Sequence, residues 1–259
     1  MANSERNNLI LSVFPGIDLL GRAFEEAGWC VVRGPDLLWG GDVKGFHPSS
    51  GVFEGVIGGP PCQCHSAFLA VNKKKGNKIA KDLIPEFLRV VEEARPTWFL
   101  MENVPRATIP EIECYDVFSH LINNRWLGEI QNRKRRFSVG FAREFSNRYY
   151  ESISEFDWGK KIQWGFDNPE WQSCVRGRGW IKLGMEGKRG CQLGKHLGFR
   201  SEKQLRKVLP LMGFPEDFFD HSPFRMEAKW LVLGNGVPLA MGRAVAGAIR
   251  KVLDNLDER

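Results

Sequence analysis

The sequence predicts an α/β fold: a parallel sheet with helices on both faces and a small inserted lobe. Three features predict it. Short apolar runs alternate with helical stretches through residue 104, that texture stops from about 141 to 227, and a helix of small residues closes the chain. β-α-β alternation calls for a parallel sheet covered by helices. With 259 residues, 42% of them apolar, the chain can bury one core and still carry a modest insertion.

The elements follow in order. LILSVF (9–14) is an unbroken apolar run and predicts a buried strand, and LLGRAFEEAGW predicts an amphipathic helix closed by Gly28. CVVRG supplies a second strand, VFEGVIGG a third, IPEFLRVVEEA a helix and TWFLMENV another strand. From 141 to 227 Trp, Gly and Arg recur without a period, and VRGRGW and GMEGKRG read as turns and short strands. WLVLGNGVPLAMGRAVAGAIRKVL then reads as strand, Gly-Asn-Gly turn and helix, returning to the first domain. The expected division is a main domain over 1–140 and 228–259 with a lobe over 141–227.

Composition narrows the function. No apolar run reaches the roughly 18 to 20 residues needed to span a bilayer, and MANSERNNLI lacks the apolar centre of a secretory signal. A cytoplasmic protein with no membrane partner is expected. Six cysteines, at 30, 62, 64, 114, 174 and 191, are scattered and fit reduced thiols better than a disulfide framework. The formal charge is +6, and residues 122–210 hold 19 Lys and Arg against 9 Asp and Glu. Trp158, Trp164, Trp171 and Trp180 lie in that stretch. Basic residues mixed with aromatics suit phosphate contact and base stacking, and a solvated basic face is the other reading.

Ligands of such sheets bind outside the carboxyl ends of the strands. Phe14 to Gly16, Asp36, Asp42, Cys62 and Glu102 each follow or end a predicted strand. The turn in VFPGIDLLGRAF has neither GxGxxG nor GK[ST], which disfavours a pyrophosphate ligand. S-adenosylmethionine fits instead: its carboxylate can sit at the helix N-terminus, Phe14 can wall its adenine, and Asp36, 20 residues after Gly16, stands where an acid takes ribose hydroxyls. On these residues alone an ordinary strand-turn-helix stays open.

GGPPCQCHSAF (58–68) allows a metal knuckle, a redox pair or a nucleophile on a loop. Metal sites usually need four ligands, and no second pair lies at a finger-like spacing. Redox motifs favour Cys-x-x-Cys. A nucleophile fits best, because the Pro-Pro turn at a strand end holds the Cys62 sulfur toward a cleft, and Cys64 reads as a packed small residue. In MENVP, Glu102 ends an apolar strand, where desolvation raises a carboxyl pKa and keeps a proton available; a carboxylate capping backbone amides is the alternative. Arg133 and Arg135 in QNRKRRF are two apart, so on a strand both face one way as paired hydrogen-bond donors, whether to phosphate or to a base.

PPCQ, ENV, QNRKRR and GNGVP in that order, behind the strand-turn-helix, strongly resemble the cytosine-5 DNA methyltransferase family. The resemblance covers most of the chain apart from 141–195, and the texture is similar to the small enzymes of phages and bacteria. It implies an S-adenosylmethionine-dependent, Rossmann-like fold whose inserted lobe recognises the DNA target. Phe14, Pro15, Gly16 and Ile17 match the cofactor turn. Asp36, with Leu37 beside it, matches the ribose ligand, Asp42 the acid at the adenine amino group, and Pro60 and Leu83 the pocket lining. Cys62 matches the nucleophile, followed by Ser66. Glu102, with Asn103 in ENV, matches the group that contacts the target base, Arg133 and Arg135 the arginines that hold the base and its loop, and Asn235 the Asn beside the cofactor.

The chemistry suits those residues. Carbon 5 of cytosine becomes nucleophilic when a thiolate adds at carbon 6 and an acid at N3 takes up the developing charge, which requires the base to be flipped out of the duplex. NKKKGNK (72–78) reads as a loop closing over the DNA backbone or as an exposed lysine loop. The sequence departs from the family at Asp18, where many members carry a second Gly and where an Asp can cap the helix, and at His65, where Phe is frequent. GFPEDF is the recognisable part of a loosely matching penultimate block. The expectation is a monomeric enzyme that methylates carbon 5 of cytosine in double-stranded DNA through a covalent Cys62 adduct and releases S-adenosylhomocysteine. A cognate restriction endonuclease stays open, as do two alternatives: a tRNA substrate and a catalytically silent DNA-binding protein.

Overall fold

The structure is a computed structural model and describes residues 7–61, 81–148, 153, 156–167, 175–176, 179–180 and 202–257. Cys62, Cys64, His65, Ser66, the stretch 72–78, Trp171, Cys174 and Cys191 lie outside the described residues. β1 (Leu9–Val13), β2 (Cys30–Arg33), β3 (Gly55–Gly58) and β4 (Trp98–Asn103) pair in parallel. β5 (Tyr115–Asn123) and β6 (Lys134–Ala142) form an antiparallel pair, and β6 also runs antiparallel to β4. The order across the sheet is β2-β1-β3-β4-β6-β5. No strand is expected from sequence at β5, whose apolar positions are interrupted by Asp116, Ser119 and His120.

Period-2 alternation covers the sheet on both faces. Ile10, Ile57, Trp98 and Leu100 join the cluster under α1 (Leu19–Glu26) and α7 (Leu239–Asp257), whereas Leu11, Val13, Val56, Phe99 and Met101 join the one under α2 (Ile84–Ala94). Strand order therefore reverses between β1 and β3, with the helix after each on opposite faces. That is the switch point at which such sheets open a crevice. The small residues of α7 let it approach α1 closely: a Cβ at Gly242 would lie 2.7 Å from that of Ala23.

A third cluster joins α5 (Glu202–Val208), Leu211, Phe214, Phe219 and α6 (Met226–Asn235) to Leu19 of α1. Within GFPEDF the Phe214 and Phe218 rings lie 3.9 Å apart. The expected strand over WLVLG is instead part of α6. A short apolar run cannot separate the two by periodicity, and here Met226 to Lys229 favour a helix that buries Trp230 and Leu233 while Leu231 is half exposed. The apolar stretch Met226–Asp254 is long enough to cross a membrane by length and composition, but it is mostly buried in these clusters. Short helices α3 (Arg143–Arg148) and α4 (Trp158–Lys161) and the hairpin β7 (Val175–Arg176) and β8 (Gly179–Trp180) complete the described elements.

Trp158 departs from the expected base-stacking role. It packs edge-on to Phe156 in the sheet core and donates its indole N–H to the Phe118 carbonyl at 3.1 Å. Close packing is also felt at Gly140 in β6, where an added Cβ would stand 2.1 Å from Phe99 Cε1. Gly140→Ala is therefore expected to destabilise the protein by about 1–3 kcal/mol, read as a lower midpoint in urea unfolding.

Candidate active site

The carboxyl ends of β2, β1, β3 and β4 lie along one edge of the sheet, and the antiparallel β6 brings its first residues to the same edge. In lateral order that edge carries Asp36, the Phe14–Ile17 turn, Pro60, Glu102 and Arg135. With strands about 4.8 Å apart, the turn after β1 and the carboxyl on β4 are roughly 10 Å apart, with the loop leading to Cys62 between them.

The turn after β1 is built on three non-extended residues: Phe14 (φ 57°), Gly16 (φ 56°) and Asp18 (φ 55°) have left-handed backbones. Asp18 N–H donates to the Pro15 carbonyl at 2.6 Å, and Gly16 N–H donates to Asp36 Oδ2 at 2.9 Å. Asp36 also accepts from Leu38 N–H at 2.7 Å, and the indole of Trp39 donates to the Gly16 carbonyl at 2.8 Å. Ile17 joins the edge of the third cluster. Asp18 caps α1, accepting from Gly21 N–H at 3.0 Å and from Ser12 Oγ at 2.8 Å, with Arg33 Nε 2.9 Å from its other oxygen. The amide of Gly21, at the helix N-terminus where a cofactor carboxylate is expected, is thus taken by the chain's own carboxylate.

The residues present fit S-adenosylmethionine. A Cβ added at Gly16 would meet nothing within 4 Å, so the turn borders open space. Leu37 is 75% and Trp39 60% exposed beside it, which provides apolar surface for an adenine, and Asp36 and the exposed Asp42 provide acceptors for hydroxyl and amino groups. Asp42 caps the short turn Val43–Gly45 through Lys44 N–H at 3.1 Å. Leu83 is half-buried at the start of α2. Asn235 is the exposed last residue of α6, and the following Gly236 lies so close to α1 that a Cβ there would stand 2.9 Å from Leu19.

Glu102 is buried on β4, with its Oε1 2.9 Å from Arg135 Nε. Burial raises its pKa, and the charges of Arg135 and Arg133 work against that rise. The loop toward Cys62 is held close by: a Cβ at Gly59 would stand 3.1 Å from Glu102 Oε2. Asn103 Nδ2 donates to the carbonyl of the buried Pro60 at 3.2 Å, while its Oδ1 accepts from Val104 N–H at 2.8 Å. Arg133 and Arg135 both act on Glu102 through their charge, and Arg135 makes the ion pair. β6 begins at Lys134, and Arg133, 1% exposed ahead of it, donates from Nη2 to the carbonyls of Gly234 and Gly236 at 2.8 and 2.9 Å, bracketing Asn235.

Several supporting residues escaped the sequence reading. Trp39 could have been found as a large apolar side chain near Asp36. Arg136, which donates to the Pro105 carbonyl at 2.8 Å, and Gln131, which donates to the Leu211 carbonyl at 2.6 Å, left no signal beyond a polar run.

Fold and site together define a protein of the methyltransferase class, with a turn after β1 that borders open space and a buried acid on β4 paired with an arginine on β6. Residues 41–172 match the C-5 cytosine-specific DNA methylase family, and the chain belongs to that family. It is 23% identical to the Type II methyltransferase M.NgoPII of Neisseria gonorrhoeae, over 95% of this chain and 96% of that one. It is 32% identical to M.FnuDI of Fusobacterium nucleatum over 55% of this chain and 49% of the relative. Among solved structures its fold is similar to the Entamoeba histolytica methyltransferase EhMeth (TM-score 0.59, 12% identity, 96% and 98% coverage) and to S. pombe Dnmt2 methyltransferase (TM-score 0.55, 14% identity, 96% and 99% coverage).

The two arginines should separate in experiment. Arg133→Met leaves two backbone carbonyls without their donor and is expected to cost about 2–5 kcal/mol of stability in urea unfolding. Arg135→Met should lower methyl transfer at least about tenfold, the loss of one charged hydrogen bond, with the smaller change in unfolding midpoint.

Proposed function

We propose that this protein methylates carbon 5 of a flipped-out cytosine in double-stranded DNA, with S-adenosylmethionine as methyl donor. The observation that carries the reading is the buried Glu102 paired with Arg135, beside a loop that Asn103 anchors two residues ahead of Cys62. Membership of the family supports the reaction class, and Type II relatives support action on DNA inside a bacterial or phage-infected cell.

In this reading the Cys62 thiolate adds to carbon 6 of the ring. The Glu102 carboxyl holds a proton at N3, and Arg135 donates to the base and offsets developing charge, so the electron pair collects at carbon 5. When bound, S-adenosylmethionine supplies a methyl group on a sulfonium and leaves as S-adenosylhomocysteine. Loss of the carbon 5 proton to a base then expels the Cys62 thiolate. Phe14, Pro15, Gly16, Ile17, Asp36, Leu37, Asp42, Pro60, Leu83 and Asn235 are the proposed cofactor contacts. The catalytic part is proposed over 1–140 and 228–259, and the target-recognition lobe within 141–227, acting as a monomer.

Incubation with 5-fluorocytosine duplex DNA and S-adenosylmethionine should leave a denaturation-resistant protein–DNA adduct, absent in Cys62→Ala. Tritiated methyl should pass to duplex DNA, and transfer to tRNA alone would overturn the proposal. Glu102 also predicts a pH signature. Its raised pKa keeps the acid form at higher pH than an ordinary carboxyl, so kcat should fall on the alkaline side as pH rises through that value, and Glu102→Gln should lack that limb while losing about 10²- to 10⁴-fold in rate. By the same sign, the contribution of Glu102 to folding stability is full below its unfolded value and is lost as pH rises through the folded one.

A further inference from the structure

Asp18 is a buried ionisable group that the proposed chemistry does not use. It is 3% exposed and sits in a left-handed backbone conformation that favours glycine. Its side chain joins three elements. Oδ1 accepts from Ser12 Oγ in β1 at 2.8 Å and from Gly21 N–H in α1 at 3.0 Å, and Oδ2 faces Arg33 Nε at the end of β2 at 2.9 Å. Arg33 in turn pairs with Glu25 of α1 at 2.9 Å. The fit is mutual: a side chain at position 21 would run into the Asp18 carboxylate, so Gly21 supplies the space it occupies. Asp18 N–H closes the turn onto Pro15, and the next ring of bonds, Gly16 to Asp36, reaches the proposed ribose acceptor.

We infer that Asp18 is a positioning residue for the cofactor: its carboxylate, without touching S-adenosylmethionine, fixes the Phe14–Ile17 turn against β1, β2 and α1 and so sets cofactor affinity. The inference rests on the cofactor reading proposed above. A plain helix cap would affect unfolding alone. A positioning residue affects binding at the turn while leaving DNA affinity and the rate at saturating cofactor in place.

The test is isothermal titration of S-adenosylhomocysteine into wild type, Asp18→Asn, Asp18→Ala, Asp18→Gly and Arg33→Met, alongside thermal unfolding, DNA affinity and steady-state kinetics. Asp18→Ala should weaken binding about tenfold or more, the size of one lost hydrogen bond to a charged group. Asp18→Gly removes the carboxylate without straining the backbone and should weaken binding similarly, with KM for S-adenosylmethionine raised and kcat within about twofold. Asp18→Asn keeps an acceptor for Gly21 and tolerates the left-handed backbone, so it should stay within about threefold of wild type. Arg33→Met should show a smaller loss that does not add to that of Asp18→Gly. If Asp18→Ala fails to fold, Asp18→Gly carries the test. Wild-type affinity in a folded Asp18→Gly would overturn the inference. Absence of binding by wild type would overturn the cofactor reading, and this inference with it.

Discussion

The site depends on a carboxyl held largely away from water and a guanidinium that keeps it company. Burial alone drives Glu102 toward its neutral form, and Arg135 draws it back toward the charged one. A group pulled both ways can hold a proton at higher pH than an exposed carboxylate does. The geometry that permits this is topological. Four parallel strands put their carboxyl ends on one edge, and only an antiparallel neighbour, β6, can bring the beginning of a strand to that same edge beside β4.

The segment QNRKRR acts as a junction between that edge and the rest of the chain. Gln131 holds the turn at Leu211, Arg133 holds the carbonyls on either side of Asn235, Arg135 meets Glu102, and Arg136 holds the carbonyl of Pro105 just past the ENV residues. Four of these five partners are backbone oxygens. A run that looks like a phosphate-binding patch by composition thus also fastens loops that flank the site.

Much of the fold was legible because its signals are local. Unbroken apolar runs marked β1 to β4, and α2 occupies the stretch its periodicity predicts. The site was legible in outline for the same reason: Phe14, Asp36, Pro60 and Glu102 end or follow parallel strands, and all come to one edge. What failed depends on partners far away in sequence. Whether Trp230 to Leu233 extend or coil is decided by the cluster around Leu19 and Leu205. Whether Trp158 faces solvent or Phe156 is decided by the sheet beneath it. That Arg133 also donates to carbonyls about a hundred residues on is set by the end of α6. No spacing rule carries that information.

The packing of α7 has a consequence for how the chain comes off the ribosome. Ile10 and Ile57 share a cluster with Met241, Val245 and Ile249, and Arg250 donates to Asn8 at 2.9 Å. Part of one face of the sheet, beyond what α1 covers, therefore stays open until residues 239–253 have been made. Until then the nascent protein must keep that greasy surface from sticking to its neighbours, and docking of α7 joins segments about 230 residues apart in the chain.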